Sequence, residues 1–320
     1  MIGVKPDGSR DPNSRRLLDP VNLIDYMLVI FYGGNLDAPI SWFGNNRGGN
    51  NWHGLMNRNQ DKGFRFIIWD SEHTLLDMRE DRIGPFPLGN TADRSNPHWL
   101  FQRLLKNEEF RVLLTDRIAK HLFRDGVLTP ARATSLFDRR ITEIKGALFA
   151  EAARWGNPRK TFASVLNGTT DRTNPRDSGL VKFEAWFKEV ERTRMQYIPQ
   201  RSRIIIDQFF GRGLYPDLPE IRARWKPSAT DDQSKRLELE AGKSPIYYTM
   251  NEQDPRRFGG KLDKTASLYK NPLAVKAGTL ILCRIREDGE WGPLREIRAG
   301  QRLALRGPLR PDRSASQDIR

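Results

Sequence analysis

The chain has 320 residues, 38% of them hydrophobic and 29% charged, the composition of a folded protein large enough for two domains. Its apolar runs are short, MLVIFY at 27–32 and FIIW at 66–69 being typical, so nothing approaches the roughly 18 residues of a membrane span and no transmembrane helix is predicted. The net charge of +14 would favour phosphates, nucleic acid or acidic surfaces, but the basic residues are interleaved with acids, as in RRITEIK and KEVERTR, a pattern of solvated helix faces that argues against a nucleic-acid groove.

Residues 1–18 read as a polar leader, rich in Gly and Pro and without the apolar stretch of a secretory signal. Asp19-Pro20 then opens a helix over VNLIDYMLVIFY, with Asp as N-cap, Pro at the first helical position and Gly33-Gly34 at the end. Apolar residues nearly all round it predict a helix inside a domain. The long loop GGNLDAPISWFGNNRGGNNWHG follows and leads to a short buried strand, FRFIIW, ending at Asp70. Loops of that length usually carry function.

From Asn96-Pro97 the chain is predicted helical in three amphipathic units of one bundle. These are WLFQRLLKNEEFRVLLTDRIAKHLF, then ARATSLFDRRITEIKGALFAEAARW after Thr129-Pro130, then LVKFEAWFKEVERTRMQYI after Ser178, broken at Pro199 and resumed as QRSRIIIDQFF. The polar interval NGTTDRTNPRDSG is expected to be an exposed loop. Residues 213–233, punctuated by prolines, read as a linker. Short alternating stretches from 234 to 305 predict a small antiparallel β-sandwich, and residues 306–320 a disordered tail. The fold class expected is therefore multidomain, a mainly α-helical lobe with a short β element followed by a β-sandwich.

Cys283, in TLILCRI, stands alone, which excludes an intrachain disulfide or a thiolate metal cluster and reads as a buried structural cysteine. His53, His73, His98 and His121 show no i, i+4 pair flanking a Glu, so a zinc-protease site has no support. Three polar clusters remain: Asn35 and Asp37 in GGNLD, Asn50 and Asn51 in GGNNWHG, and Asp70 with Glu72 in IIWDSEHT. An Asp just past a strand end, with amide oxygens near, suits a hard cation such as Mg²⁺. Phosphoryl transfer needs such a set, together with a carboxylate to orient the acceptor hydroxyl. The same residue types are also the ordinary residues of turns, and spacing alone favours that reading. In the familiar kinase catalytic loop an Asn stands at the fifth position after the Asp, but the fifth residue after Asp37 is Trp42.

GGNLD, NNW and FRFIIWDSEHTL together resemble the motifs of the CotH kinase family, atypical kinases first recognised among spore coat proteins. The resemblance spans roughly residues 19–210 and includes LIDYMLVIFY and the helices that follow. It implies Asp37 as the catalytic-loop Asp, Asn50 or Asn51 in the active-site loop, Asn35 and Asn51 toward the nucleotide, Asp70 as the metal-binding Asp, and Glu72 in the second acidic position of a W-D-x-D/E pattern. It further implies ATP and Mg²⁺ as cofactors, protein Ser or Thr as acceptor, and a location outside the cytoplasm. Family members carry an N-terminal nucleotide-holding lobe before this point. Lys5 in the polar leader is no substitute for it, so the chain is expected to be the back half of such an enzyme, with its own catalysis in doubt.

The stretch from SPIYYTMNEQDPRRFGG onward resembles a chitobiase/β-hexosaminidase C-terminal-type domain, with I-Y-Y-T-x-x-x-x-D-P-R at Ile246 to Arg256. Tyr247, Tyr248 and Asp254-Pro255 would be strand and turn determinants. The module would pack as a spacer or attach to a carbohydrate surface. Two functions follow: a phosphotransferase acting on a protein or cell-surface component, or a non-catalytic surface or coat scaffold.

Overall fold

The structure, a computed structural model, describes residues 3–5, 7–9, 11–90, 93–148, 183–227 and 235–300. The end of the second helical unit, the polar interval at 167–179 and the expected tail at 306–320 lie outside the described residues. The architecture is mixed, helices and antiparallel sheets around two hydrophobic cores. Between residues 34 and 96 the described residues hold loops and one hairpin, with no helix, in keeping with the loop and short strand expected there.

Helix α1, Pro20–Gly33, is the centre of the first core. The Asp19 carboxylate accepts from the Asn22 N–H at 3.0 Å, Pro20 occupies the first turn, and Gly34 closes the helix in the left-handed region at φ 58°. Leu23, Ile24, Met27, Leu28, Ile30 and Phe31 are buried, while Val29 remains on the outside. The end of the polar leader is pinned here as well. Leu18 is buried and bridges to Phe64. Gly63 beside it has φ 73° and its backbone runs so close to Leu18 that a Cβ would come within 2.5 Å of it.

Strands β1 (Trp52–Leu55) and β2 (Arg65–Ile68) form an antiparallel hairpin in which Trp52 faces Ile68. The expected buried strand is thus one arm of a two-stranded ribbon. Only Phe66 points into the core, and Ile67, Ile68 and Trp69 are exposed. A ribbon packed on α1 by one face leaves its other face uncovered whatever its hydrophobicity.

The first helical unit is two helices, α2 (Pro97–Leu104) and α3 (Glu108–Leu122), because Asn107 caps the second by accepting from the Phe110 N–H at 3.1 Å. Helix α4 is Pro130–Ile144 and α5 is Phe183–Arg192. The expected break at Pro199 is absent. A π-helical turn at Thr193–Tyr197 carries α5 directly into α6, Ile198–Phe210. Pro199 lacks an N–H, and the π-helical turn just before it, in which the Ile198 N–H bonds back to Thr193 O, takes up the change in hydrogen bonding that a proline demands.

The second core lies between two antiparallel sheets. One is ordered β10–β8–β5–β6, with β9 added to β8, and the other β3–β4–β7. The strands are β3 Arg222–Pro227, β4 Lys235–Glu240, β5 Ile246–Thr249, β6 Ser267–Leu268, β7 Leu273–Val275, β8 Leu280–Glu287, β9 Glu290–Trp291 and β10 Arg295–Arg298. Leu237, Leu239 and Val275 of one sheet meet Ile246, Ile281, Cys283, Ile285 and Ile297 of the other. Cys283 is fully buried, which pushes its thiol up to about 12. Part of the expected linker belongs to this core. Residues 222–227 pair with β4 from Arg222↔Glu240 to Pro227↔Lys235, and Ile221 and Ala223 are buried. The alternation in IRARW is only a few residues long and flanked by prolines, so it reads as linker until its partner strand is seen.

The sheets dock on α3 through charge. Arg256 reaches Glu108 and Glu109, and Arg284 reaches Asp116.

Candidate active site

The site is built where α1 ends. Gly34 reverses the chain and delivers Asn35 fully buried beneath the loop. The Asn35 side-chain oxygen accepts the Asp37 N–H at 2.8 Å, an Asx turn that fixes the Asp37 backbone, and its amide nitrogen lies 3.4 Å from the Ser71 hydroxyl. The loop then closes on itself: Ile40 bridges to Gly49, and the Asn50 N–H donates to Pro39 O at 3.0 Å. This closure returns Asn50 and Asn51 to Asp37. Both side-chain amides donate to Asp37 Oδ2 at 3.0 Å, and the Ser41 hydroxyl donates to Oδ1.

The hairpin supplies the second edge. Because Trp52 pairs with Ile68, Asn51 just before β1 and Asp70 just after β2 leave the same end of the ribbon. The Asn51 amide reaches the Asp70 carbonyl at 3.4 Å. Asn51 and Asp70 both have left-handed backbones, φ 48° and 46°, as do Asn45 and Asn46 at 56°. Asn and Asp tolerate that region better than other non-glycine residues, a physical reason for the Asn-rich composition of the loop. The Asp70 side chain is exposed, and the Glu72 carboxylate pairs with His73 at 3.2 Å.

The structure therefore joins Asn35, Asp37, Asn50 and Asn51 in one hydrogen-bonded set, with Asp70 attached through its backbone and Glu72 on the segment beyond. Among the described residues no group of three or more His, Cys, Asp or Glu converges. Two participants escaped sequence reasoning. Ser41 stands four residues after Asp37, a spacing with no signature. Arg82, 2% exposed, donates to Asn46 Oδ1 at 2.7 Å and to the Ile40 carbonyl, bracing the Asp37 loop from behind. Burial lowers the Arg82 pKa, opposed by the charges of Glu80 and Asp37. Burial raises that of Glu80, which lies 3.6 Å from the guanidinium.

Chemically, the Asp37 carboxylate has roughly four acceptor positions. Three are taken by donors from this chain. One acceptor position is left among the described hydrogen bonds. The exposed Asp70 carboxylate and the amide oxygen of Asn51 are hard oxygen donors.

No curated protein matches the chain. A family model described as CotH kinase protein matches residues 13–205, more than half of the 320 and all of the residues above. That match supports a kinase-like function in general terms, and on it the chain belongs to the CotH kinase family.

Proposed function

We propose that this chain carries the acceptor and metal side of a phosphotransferase that moves the γ-phosphoryl of ATP to Ser or Thr of a protein. One observation carries the reading: Asp37 is held by Ser41, Asn50 and Asn51, within one amide of the Asp70 backbone. An Asp so oriented can accept the proton of an attacking hydroxyl, the task of the catalytic-loop Asp in kinases.

The donor set fits a nucleotide-bound Mg²⁺ better than a resident metal. Mg²⁺ is commonly bound through one or two carboxylates together with substrate phosphates. Asp70 would be the first protein ligand, Glu72 the second acidic group, and the Asn51 amide oxygen a further donor; Asn35, expected toward the nucleotide, is instead buried and holds the Asp37 turn. When bound, Mg²⁺ would neutralise charge developing on the phosphates. The chain's own residues orient the acceptor hydroxyl, take its proton at Asp37, and hold the Asn50–Asn51 edge against it.

The two sheets support a chitobiase C-terminal-like module in an accessory role, beginning near Ile221, after a CotH-like lobe from residue 19 to about 212. Membership of a family known from spore coats supports a coat or extracytoplasmic setting. Among the described residues no helix is long and apolar enough to cross a membrane.

The test is calorimetric titration of Mg²⁺ and ATP into the folded chain and into Asp70→Ala. Saturable Mg²⁺-dependent binding that Asp70→Ala abolishes supports the reading, and phosphorylation assays follow with Asp37→Ala as control. No binding by folded protein removes it in favour of a coat or surface scaffold.

A further inference from the structure

The last four carbonyls of a helix have no partner within it. In α1 each of them is taken by a group that leads to the site. Ile30 O accepts the Asn35 N–H at 3.1 Å, and Gly33 O accepts the Leu75 N–H at 2.7 Å. Phe31 O accepts from Gly34 N and from an Arg201 Nη2, while Tyr32 O accepts the Tyr197 hydroxyl at 2.7 Å and Arg201 Nε at 2.9 Å. Arg201 is on α6, far along the chain, and is 0% exposed.

The same guanidinium turns its other donors to the segment after Asp70. Nη1 donates to Met78 O at 2.5 Å and Nη2 to Glu80 O at 2.8 Å. A neighbouring arginine extends the frame, since Arg192 donates to the carbonyls of Leu75 and Leu76. Leu75 has φ 60°, a conformation a branched side chain seldom adopts unless its surroundings impose it. The hydrogen-bond partners of Arg201 are all backbone carbonyls. A charge fully out of water, tying two separate loops through backbone oxygens alone, costs more than a hydrophobic residue would to bury. Its geometric effect is specific: four of the five planar donors are used on two segments.

We infer that Arg201 is a positioning residue for the candidate active site, fixing the Asn35–Asp37 turn at the end of α1 against the segment 75–80 that follows Asp70. It hydrogen-bonds neither segment's side chains, so it acts through backbone placement. The link of this role to catalysis rests on the phosphotransferase reading; the placement itself does not. Lysine keeps the charge but offers three donors from one atom without the planar fork, so it cannot hold both segments.

The experiment is amide hydrogen exchange on the full chain, wild type against Arg201→Lys, with Arg203→Lys as control, a half-buried arginine of the same helix that pairs with Asp207. The amides to read are Leu36, Asp37, Leu75 and Glu80, which donate to His73 O, Asn35 Oδ1, Gly33 O and Asp77 O. Exchange at these positions is expected to accelerate roughly tenfold or more in Arg201→Lys, with α3 and β8 unchanged and Arg203→Lys like wild type. Unchanged exchange at the four amides overturns the inference. An equal acceleration throughout α3 and the site also overturns it, because the residue is then merely structural. If Arg201→Lys does not fold, Tyr197→Phe removes one donor to the same Tyr32 carbonyl and is read at the same four amides. A smaller acceleration confined to them supports the frame, and none overturns it. These readouts involve no nucleotide, so a wild-type chain that fails to bind Mg²⁺ and ATP sinks the proposed function and leaves this result standing.

Discussion

The carboxylate of Asp116 on α3 takes both terminal nitrogens of Arg284 on β8, each at 2.7 Å, across 168 residues of chain. The other edge of that guanidinium is taken by Asp254 at 2.7 and 2.6 Å, and a remaining donor reaches Gly292 O at 3.0 Å. All five donors of a side chain that is 2% exposed are therefore satisfied, two of them by the helical part of the molecule. Asp116 also accepts the Leu294 N–H at 2.8 Å. The sandwich is thus seated on α3 by a buried, two-sided ion pair.

Removing one carboxylate leaves Arg284, itself 2% exposed, and the Leu294 N–H short of partners beside the cavity that Asp116 and Asp254 line. Asp116→Ala is expected to destabilise the protein by about 3 kcal/mol, near the lower end for breaking a buried pair because Asp254 remains. Urea denaturation measures it. Asp116→Ala combined with Arg284→Met should lose less than the two single changes added together, since the second change removes the stranded charge.

At the site, Asp37→Asn keeps the shape of the side chain but replaces an acceptor oxygen with a donor amide facing the donors of Ser41, Asn50 and Asn51. Under the phosphotransferase reading the turnover rate should fall about 10²–10⁴-fold, the usual contribution of a general base. Affinity for Mg²⁺ and ATP should change little. A parallel loss of nucleotide affinity would assign Asp37 to binding instead.

His98 is 1% exposed, packs on Phe31 and Phe86, and lies with Nε2 3.0 Å from Ile83 O, so the neutral ring donates there. Burial, aided by the nearby Arg82 charge, lowers its pKa from 6.5 to about 4. The unfolded ring binds a proton below about pH 6.5 and the folded ring does not until about pH 4. Stability from this residue is therefore fully present above 6.5 and is lost as pH falls toward 4, amounting to about 3 kcal/mol across the window. His98→Gln can still donate to Ile83 O and does not titrate. Thermal melts between pH 4 and 7 should show a shallower acid limb in that variant than in the wild type.

Asp19 caps the helix from which the whole site is hung. Asp19→Ala should cost about 1 kcal/mol, and Asp19→Asn, which retains the acceptor oxygen, only a fraction of that, read from chemical denaturation midpoints.

The limits of α1 were legible in the sequence because capping is local chemistry: Asp19, Pro20 and Gly34 each act within a few residues. The break between α2 and α3 has the same kind of signal in Asn107, overlooked because the apolar periodicity runs on through it. Pro199 was misread since a π turn can absorb a proline that an uninterrupted α-helix cannot. Strand β3 was missed because half of the evidence for a strand is its partner. Within the site, GGNLD, NNW and WDSE were visible as residue types suited to phosphoryl transfer, but their spacing alone read as turns.

What the sequence by itself determined was the set of local conformations and the chemical inventory. It contained the caps of α1, the asparagines able to occupy left-handed backbone, the carboxylates and amides of the three clusters, and the alternation of most strands of the sandwich. Only the tertiary structure decided which of these meet. The closure at Ile40 and Gly49 brings Asn50 and Asn51 to Asp37, and the Trp52–Ile68 pairing sets Asp70 beside Asn51. Arg201 reaches back 169 residues to the Tyr32 carbonyl. Backbone preference and capping act over a few residues and leave a periodic trace, whereas a side chain reaching a distant carbonyl depends on the packing of every element between them and leaves none.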